Sequence, residues 1–560
     1  MATWRVRAVG LAALGLAAAA WACGGCAAMP DERRATFGID FRLPEGASRT
    51  GAVVFMLDGV NRHVFNELLD AGRLPNVKKY FVDRGLYVER CAANVPSVTL
   101  ANETSLVTGL FAGHHGILGN NWFDRTALVW RNYETYDDKN KIDEDFLPPT
   151  VFEHLADATT FSLFFQVHRG ATKFTENWMS AGPPYFFGWY GLVDRITLWR
   201  FDLVAEIARK RGAWPAFTIV YQLAPDMEAY RAGVSSDDYR GALEHADAHI
   251  GRVLRDLEAA GLLEGLVLAL VSDHGMMDIE HRWDAQRHLR RSLGLSVALE
   301  DEAKETNFER RLNRYARYAC VTTRGDRYWA LHLRKPRADS QDPRRPAFED
   351  WLARPSAEDL RQYPTRDGRR VDLVAGLLAC EAVDVVAYRA GPGRVRVATR
   401  QGTVELTRED AAGPPGSPPS GRQVACRIVQ GNDPLGYAAT VPTGMLYGQA
   451  RPPEVWLRQT ADTEYPDLVP QVMAYFDSPR AADLAVFAAP GWNFGFPNKA
   501  GHGGLRSTEM YVPLLLAGPG IPHERRPGPV RSVDLMPTLL GLLGRPVPPG
   551  LDGQVIPMGR

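Results

Sequence analysis

Several side chains suited to metal binding or to attack on phosphorus stand where this chain is expected to turn. Asp58 ends the apolar run 52–57 and precedes Gly59, the pattern of a buried strand carrying a carboxylate at its C-terminal tip. Thr99 stands in Pro96-Ser97-Val98-Thr99-Leu100-Ala101-Asn102, ahead of a helix-like stretch to Thr108-Gly109. A hydroxyl at a helix N-terminus feels the dipole and free amides there, which favour its alkoxide and an attacked phosphate. The same position also suits an ordinary N-cap. Asn120 follows 21 positions beyond Thr99, in His115-Gly116-Ile117-Leu118-Gly119-Asn120, and alone reads as a turn residue. Pro225-Asp226 comes just after the run 217–223, again an ordinary turn by itself. Ser272-Asp273-His274-Gly275-Met276 follows the apolar run that ends at Val271. Adjacent Asp and His at a strand end can reach one ion, and a carboxylate with an imidazole suits zinc or a similar divalent metal. Gly501-His502-Gly503-Gly504 sets a histidine among glycines, which let backbone approach a ligand closely; a surface loop has the same look.

The elements that position these residues are legible as apolar runs. Buried strands are expected at 52–57, 217–223, 266–271, 485–488 and 512–516. Between them lie helical patterns, the longest over 236–263 with Leu243, Ala246, Ile250, Val253, Leu254 and Leu257 at helical spacing. Alternating strands and helices predict an α/β fold with a mostly parallel central sheet sandwiched by helices. Ligands in such sheets bind beyond the carboxyl ends of the strands, where most of these motifs fall. From about 281 to 465 the character changes to Arg/Asp-rich stretches, short β-like runs at 394–399 and 402–407, and a Pro/Gly/Ser-rich loop at 413–421. That region reads as an inserted α+β cap lobe. The expected division is 1–28 signal, 29–50 linker, 51–280 and 466–560 the two parts of the catalytic domain, and 281–465 the insertion.

The chain has 560 residues, 45% apolar and 23% charged, with a formal net charge of −1. This is the ordinary globular mixture, and the balance excludes the electrostatic signature of a dedicated nucleic-acid binder. Any phosphate recognition must be local. Arg5 and Arg7 precede an apolar run over 8–22 and small residues through Ala28, the layout of a secretory signal. Cys23 follows Ala-Trp-Ala and would carry lipid in a lipoprotein signal; cleavage after Ala28 is the alternative. The expectation is an exported protein of the periplasm or cell envelope, with a lipid anchor as a possible partner of the membrane. The remaining cysteines, Cys91, Cys320, Cys380 and Cys426, are scattered without metal-finger spacing; a disulfide and small buried hydrophobes are both open.

Taken in order, these motifs resemble the alkaline phosphatase superfamily. The spacing from Thr99 to Asn120, with His-Gly before the Asn, is similar to its type I phosphodiesterase/nucleotide pyrophosphatase branch. The stretches Val512-Pro513-Leu514 through Gly520-Ile521, Val533-Asp534-Leu535-Met536-Pro537-Thr538 and Leu551-Asp552-Gly553 continue the likeness. The resemblance implies a divalent-metal centre, zinc by preference, with two sites. Asp58, Thr99, Asp273 and His274 would hold one ion, and Asp226 and His502 the other. Asn120 would donate to a non-bridging phosphoryl oxygen, and Thr99 would form a phospho-threonine. One departure stands out. Where the branch has His four residues after the Asp of its second site, this chain has Tyr230, in Asp226-Met227-Glu228-Ala229-Tyr230. That site is therefore expected to be weak, helped by Glu228, or absent.

The expected activity is a phosphodiesterase or nucleotide pyrophosphatase acting on a phosphate ester or nucleotide-like small molecule. A phosphate monoesterase of the same fold, a one-metal envelope phosphotransferase and a non-catalytic binder are the alternatives. Sulfatases need Cys or Ser in a different context from that of Thr99. Trp122 and Phe123, beside Asn120, are the candidate substrate contacts. Arg324, Arg327 and Lys335 read as a solvated face or as a cationic clamp, and the aromatic stretch 185–190 as a packed edge of the core, a base-stacking surface or a membrane contact.

Overall fold

The computed structural model describes residues 42–44, 50–135, 138–175, 178–298, 307–337, 348–408 and 423–558. The signal, most of the linker, Cys23, Cys26 and the loop 413–421 lie outside them.

Two sheets organise the chain. Their strands, in chain order, are β1 (Gly51–Leu57), β2 (Gly85–Ala92), β3 (Thr160–Leu163), β4 (Lys173–Thr175), β5 (Phe217–Gln222), β6 (Leu266–Ser272), β7 (Val297–Ala298), β8 (Cys320–Arg324), β9 (Tyr328–Leu333), β10 (Val383–Gly391), β11 (Arg394–Thr399), β12 (Gly402–Arg408), β13 (Val424–Gly431), β14 (Leu484–Ala488), β15 (Tyr511–Ala517), β16 (Glu524–Arg526) and β17 (Val530–Arg531). The first sheet has the order β16-β2-β15-β6-β1-β5-β3-β4, with β17 also on β2. β1 runs parallel to both β5 and β6, and β15 is the reversed strand between β6 and β2.

The run 51–57 is buried along its whole length because the sheet is covered on both faces. Its side chains alternate. Ala52, Val54 and Met56 enter one core with helix α2 (Thr99–Thr108) and helix α6 (Leu535–Leu542). Val53, Phe55 and Leu57 enter the other, with α1 (Arg62–Asp70), α3 (Tyr190–Arg211) and α5 (Asp237–Ala259). Period-two alternation into two apolar layers is what makes such a strand apolar throughout. Ser236 caps α5 by accepting the Tyr239 amide, and Leu243, Ala246, Ile250, Val253, Leu254 and Leu257 are all buried on it, as the spacing predicts.

The second sheet has the order β7-β8-β9-β14-β10-β11-β12-β13 and is antiparallel apart from its first pair. Here the structure corrects one expectation. The run 485–488, read as a strand of the parallel sheet, forms β14 at the centre of the second sheet, between β9 and β10. A short apolar run reads alike in either setting, and only its partners decide which sheet it joins. The four described cysteines are free, and Cys91, Cys320 and Cys426 are buried, so they pack as small hydrophobes. Among the described residues no helix is long and apolar enough to cross a membrane.

Candidate active site

The C-terminal ends of β1, β5 and β6 converge, and each carries a residue singled out from the sequence. Asp58 follows β1, Asp273 and His274 follow β6, and Asp226 lies in the first turn of α4 (Ala224–Ala232), which follows β5. Gly59 turns the chain after Asp58 at φ +65°, where a Cβ would meet Met276 Sδ at 2.8 Å and Asp226 Cβ at 2.9 Å, so only glycine lets β1 end against α4. Asp194 of α3 accepts the amides of Leu223 and Ala224 at 2.9 and 3.1 Å and so fixes the start of α4.

Thr99 is the first residue of α2, with Val98 as an extended N-cap that offers no side-chain bond. The N-cap reading of Thr99 is therefore replaced by a hydroxyl at the helix start that hydrogen-bonds His274 Nε2 at 3.1 Å. Asn120 accepts the Leu100 amide at 3.0 Å through Oδ1 and donates to Glu134 at 3.1 Å. One amide of the helix N-terminus is thus satisfied by the residue expected to contact phosphate.

His274 Nε2 also lies 3.1 Å from Asp273 Oδ2 and 3.4 Å from Asp58 Oδ1. Its other nitrogen, Nδ1, is 3.2 Å from the Gly275 carbonyl and so carries the ring's proton. Burial holds the imidazole down to about 3, so it is neutral, and its Nε2 lone pair faces two carboxylate oxygens. Those oxygens, Asp58 Oδ1 and Asp273 Oδ2, are buried with no hydrogen-bond partner, as is Asp226 Oδ1. Burial, the Asp273 charge and then the Asp226 charge push the Asp58 carboxyl well above the usual range; burial and then Asp273 do the same to Asp226. Tyr221 of β5 hydrogen-bonds the remaining oxygen of Asp58. Inward lone pairs left unpaired in a buried acidic nest are the donor set of a cation, and such a charge would pay for their desolvation. The residues present fit a divalent ion at Asp58, Asp273, His274 and the adjacent Thr99.

His502 brings a second imidazole. It stacks on His274 with centroids 3.6 Å apart and planes 10° apart, and its Nδ1 donates to the Ser97 carbonyl at 2.9 Å. The glycines around it have a physical reason: a Cβ on Gly504 would come within 2.3 Å of the Glu509 carboxylate, which accepts the Gly504 amide. Asp226, His274 and His502 bring ligand atoms within 4.8 Å of one another, as do Asp58, Asp273 and His274. Tyr230 Oη lies 2.5 Å from His502 Nε2. Glu228, considered as a substitute ligand, pairs instead with Arg231 at 2.8 Å.

The site opens into a cavity of about 210 Å³, lined by Asn120, Tyr230, Asp326, Asn498 and His502 among others. Asp326 and Asn498 carried no sequence signal; both come from outside the recognised motifs, and only tertiary packing brings them here. Three expectations are corrected. Trp122 and Phe123 do not face the cavity: Trp122 donates to the Tyr133 hydroxyl at 2.7 Å in the core, and Phe123 packs among Tyr315, His332 and Trp351. They alternate across a short strand, and the hairpin turns both apolar side chains into packed layers, leaving Asn121 on the cavity wall. Arg327 is neither solvated nor a substrate clamp, being buried against Glu509 at 2.7 Å; Lys335 pairs with Glu349 at the surface. The stretch 185–190 is not a packed edge, since Phe186 is 80% exposed and Trp189 56% exposed.

With this geometry in view, the comparisons with known proteins are informative. Residues 52–313 match the model of the type I phosphodiesterase/nucleotide pyrophosphatase family. A venom phosphodiesterase of Naja atra is 25% identical over 238 residues, 42% of this chain and 27% of that protein. A bis(5'-adenosyl)-triphosphatase of Bos taurus is 26% identical over 204 residues, 35% of this chain and 42% of that protein. The match thus spans well under two thirds of either relative. Among solved structures, human ectonucleotide pyrophosphatase/phosphodiesterase 5 superposes with a TM-score of 0.51 at 15% identity, covering 89% of this chain and 96% of that one. The murine protein gives 0.50 at 16% with the same coverage, which establishes a shared fold.

Proposed function

We propose that this chain is a metal-dependent phosphodiesterase or nucleotide pyrophosphatase that works through a covalent phospho-threonine at Thr99. One observation carries the reading: the Thr99 hydroxyl, at a helix start, lies 3.1 Å from a neutral imidazole whose lone pair faces the unpartnered oxygens of Asp58 and Asp273. A divalent ion held by Asp58, Thr99, Asp273 and His274 would supply the positive charge that lowers the hydroxyl pKa and neutralises the attacked phosphoryl group. The other roles fall to the chain itself. Thr99 Oγ1 gives up its proton to solvent in the cavity and forms the bond to phosphorus as the bond to the leaving oxygen breaks, and the leaving oxygen takes a proton from the same solvent. Asn120 is held by the Leu100 amide through Oδ1 and gives one N–H to Glu134, and its other N–H would donate to a non-bridging oxygen. Water then cleaves the phospho-threonine and regenerates the hydroxyl. Support for a nucleotide-like substrate comes from the family match and from the named activities of the relatives. The export reading rests on Arg5, Arg7 and the apolar run that follows.

The test is hydrolysis of paired chromogenic substrates, one phosphate diester and one monoester, with zinc, by the wild-type protein and Thr99→Ala. The diester should be turned over and the variant should lose at least about a thousandfold in kcat/KM. A monoester preference would move the assignment to the phosphatase side of the fold. Undiminished turnover by Thr99→Ala would refute the nucleophile.

A further inference from the structure

We infer that this chain binds one divalent ion rather than two, and that the Tyr230 hydroxyl occupies the place of the second. The inference rests on the metal reading of the site given above and concerns its stoichiometry. Among the described residues only two groups of His and carboxylate ligands converge, and both need His274. The Nδ1 of that ring is committed to the Gly275 carbonyl, so a single nitrogen, Nε2, is left to serve one ion. It lies within 3.4 Å of Asp58 and Asp273 and next to Thr99, which assigns it to that set.

What remains for a second ion is Asp226 and His502. The Nδ1–H of His502 is spent on the Ser97 carbonyl, and its Nε2 lone pair, the one atom able to bind metal, accepts the Tyr230 O–H at 2.5 Å. A four-coordinate structural or catalytic zinc takes at least three protein ligands from His, Cys, Asp and Glu, and two do not meet that need. The phenol does not stand there loosely. Asp326, which is buried, shares the cavity wall with Tyr230 and His502 and is itself held by Asn498 Nδ2 at 3.1 and 3.2 Å. A phenol reaches further from its backbone than an imidazole, so its oxygen extends into the space between His502 and Asp326. Asp226 Oδ1 stays buried and without a hydrogen-bond partner.

The experiment counts ions without reference to turnover. Wild type, Tyr230→His and Tyr230→Phe are stripped with chelator, reloaded with excess zinc, freed of unbound metal and measured by plasma emission spectrometry. The wild type should hold one zinc per chain. Tyr230→His adds a third ligand, a second nitrogen, beside Asp226 and His502 and should hold two, while Tyr230→Phe, which removes the hydroxyl without adding a ligand, should stay at one. Two zinc ions in the wild type, or one in a folded Tyr230→His protein, overturns the inference. If Tyr230→His does not fold, anomalous scattering from zinc-soaked wild-type crystals decides. A single peak among Asp58, Asp273 and His274 supports one ion, and a further peak between Asp226 and His502 overturns it. No zinc at all in the wild type would overturn the metal reading of the whole site, a different result from two.

Discussion

Replacing His114 with glutamine should cost stability in acid and almost nothing in alkali. The imidazole joins three distant segments: Nδ1 lies 2.6 Å from Asp552 and Nε2 3.0 Å from Asp477. The Asp552 oxygen also accepts the Phe111 amide at 2.8 Å, so this contact anchors the turn that leads to Asn120. Burial opposes the imidazolium, but the charges and hydrogen bonds of Asp552 and Asp477 outweigh it and raise the group from 6.5 to about 9. The folded pKa is above the unfolded one, so the stabilisation is fully present below about pH 6.5 and is lost as pH rises through about 9. At roughly 1.4 kcal/mol per pH unit that step is worth about 3 kcal/mol, and the side chain is only 9% exposed, so screening takes little from it. Urea unfolding of both proteins at about pH 6 and above pH 9 measures it. The His114→Gln deficit should be near its full value at the lower pH and should close at the higher. An equal deficit at both would mean that packing, and not charge, was lost, and would refute the argument.

Two further substitutions probe the site and its frame. Asn120→Ala should lower kcat for a diester about a hundredfold with little change in melting temperature, and an unchanged kcat would remove Asn120 from the phosphate-binding role. Glu509→Gln strands the buried Arg327 charge, which also donates to the Ala489 carbonyl at 3.0 Å, and should cost about 3–5 kcal/mol, read as a fall of several degrees in a thermal melt; a melt within one degree of wild type would contradict it.

The division between what is local and what is global runs through individual residues. Asp58, Asp273 and His274 were legible because a strand buried on both faces must be apolar to its end, and the first polar residue after it marks the tip. Thr99 and Asn120 were legible only through the likeness of their spacing to that of the type I phosphodiesterase/nucleotide pyrophosphatase branch, since alone the first reads as an N-cap and the second as a turn residue. The structure brings all of these together with Asp226 and His502, and places the long helix 237–259 where its apolar periodicity requires. Other readings failed for one reason. Trp122, Phe123 and Arg327 have side chains whose chemistry suits either a ligand or a core, and sequence carries no information on which face a hairpin turns inward. β14 has an apolar run that either sheet could take.

The sequence by itself determined the candidate metal-binding and nucleophilic groups, the strand tips that bear the carboxylates and the tyrosine at position 230, because these depend on residue type and on periodicity along a few neighbours. The tertiary structure alone decided that His274 is shared between two ligand groups, that Asp326, held by Asn498, shares a cavity wall with Tyr230, and that Arg327 is buried on Glu509. They include contacts between residues separated by well over a hundred positions, 172 between Asn498 and Asp326 and 182 between Arg327 and Glu509, which exist only once packing has closed the chain upon itself.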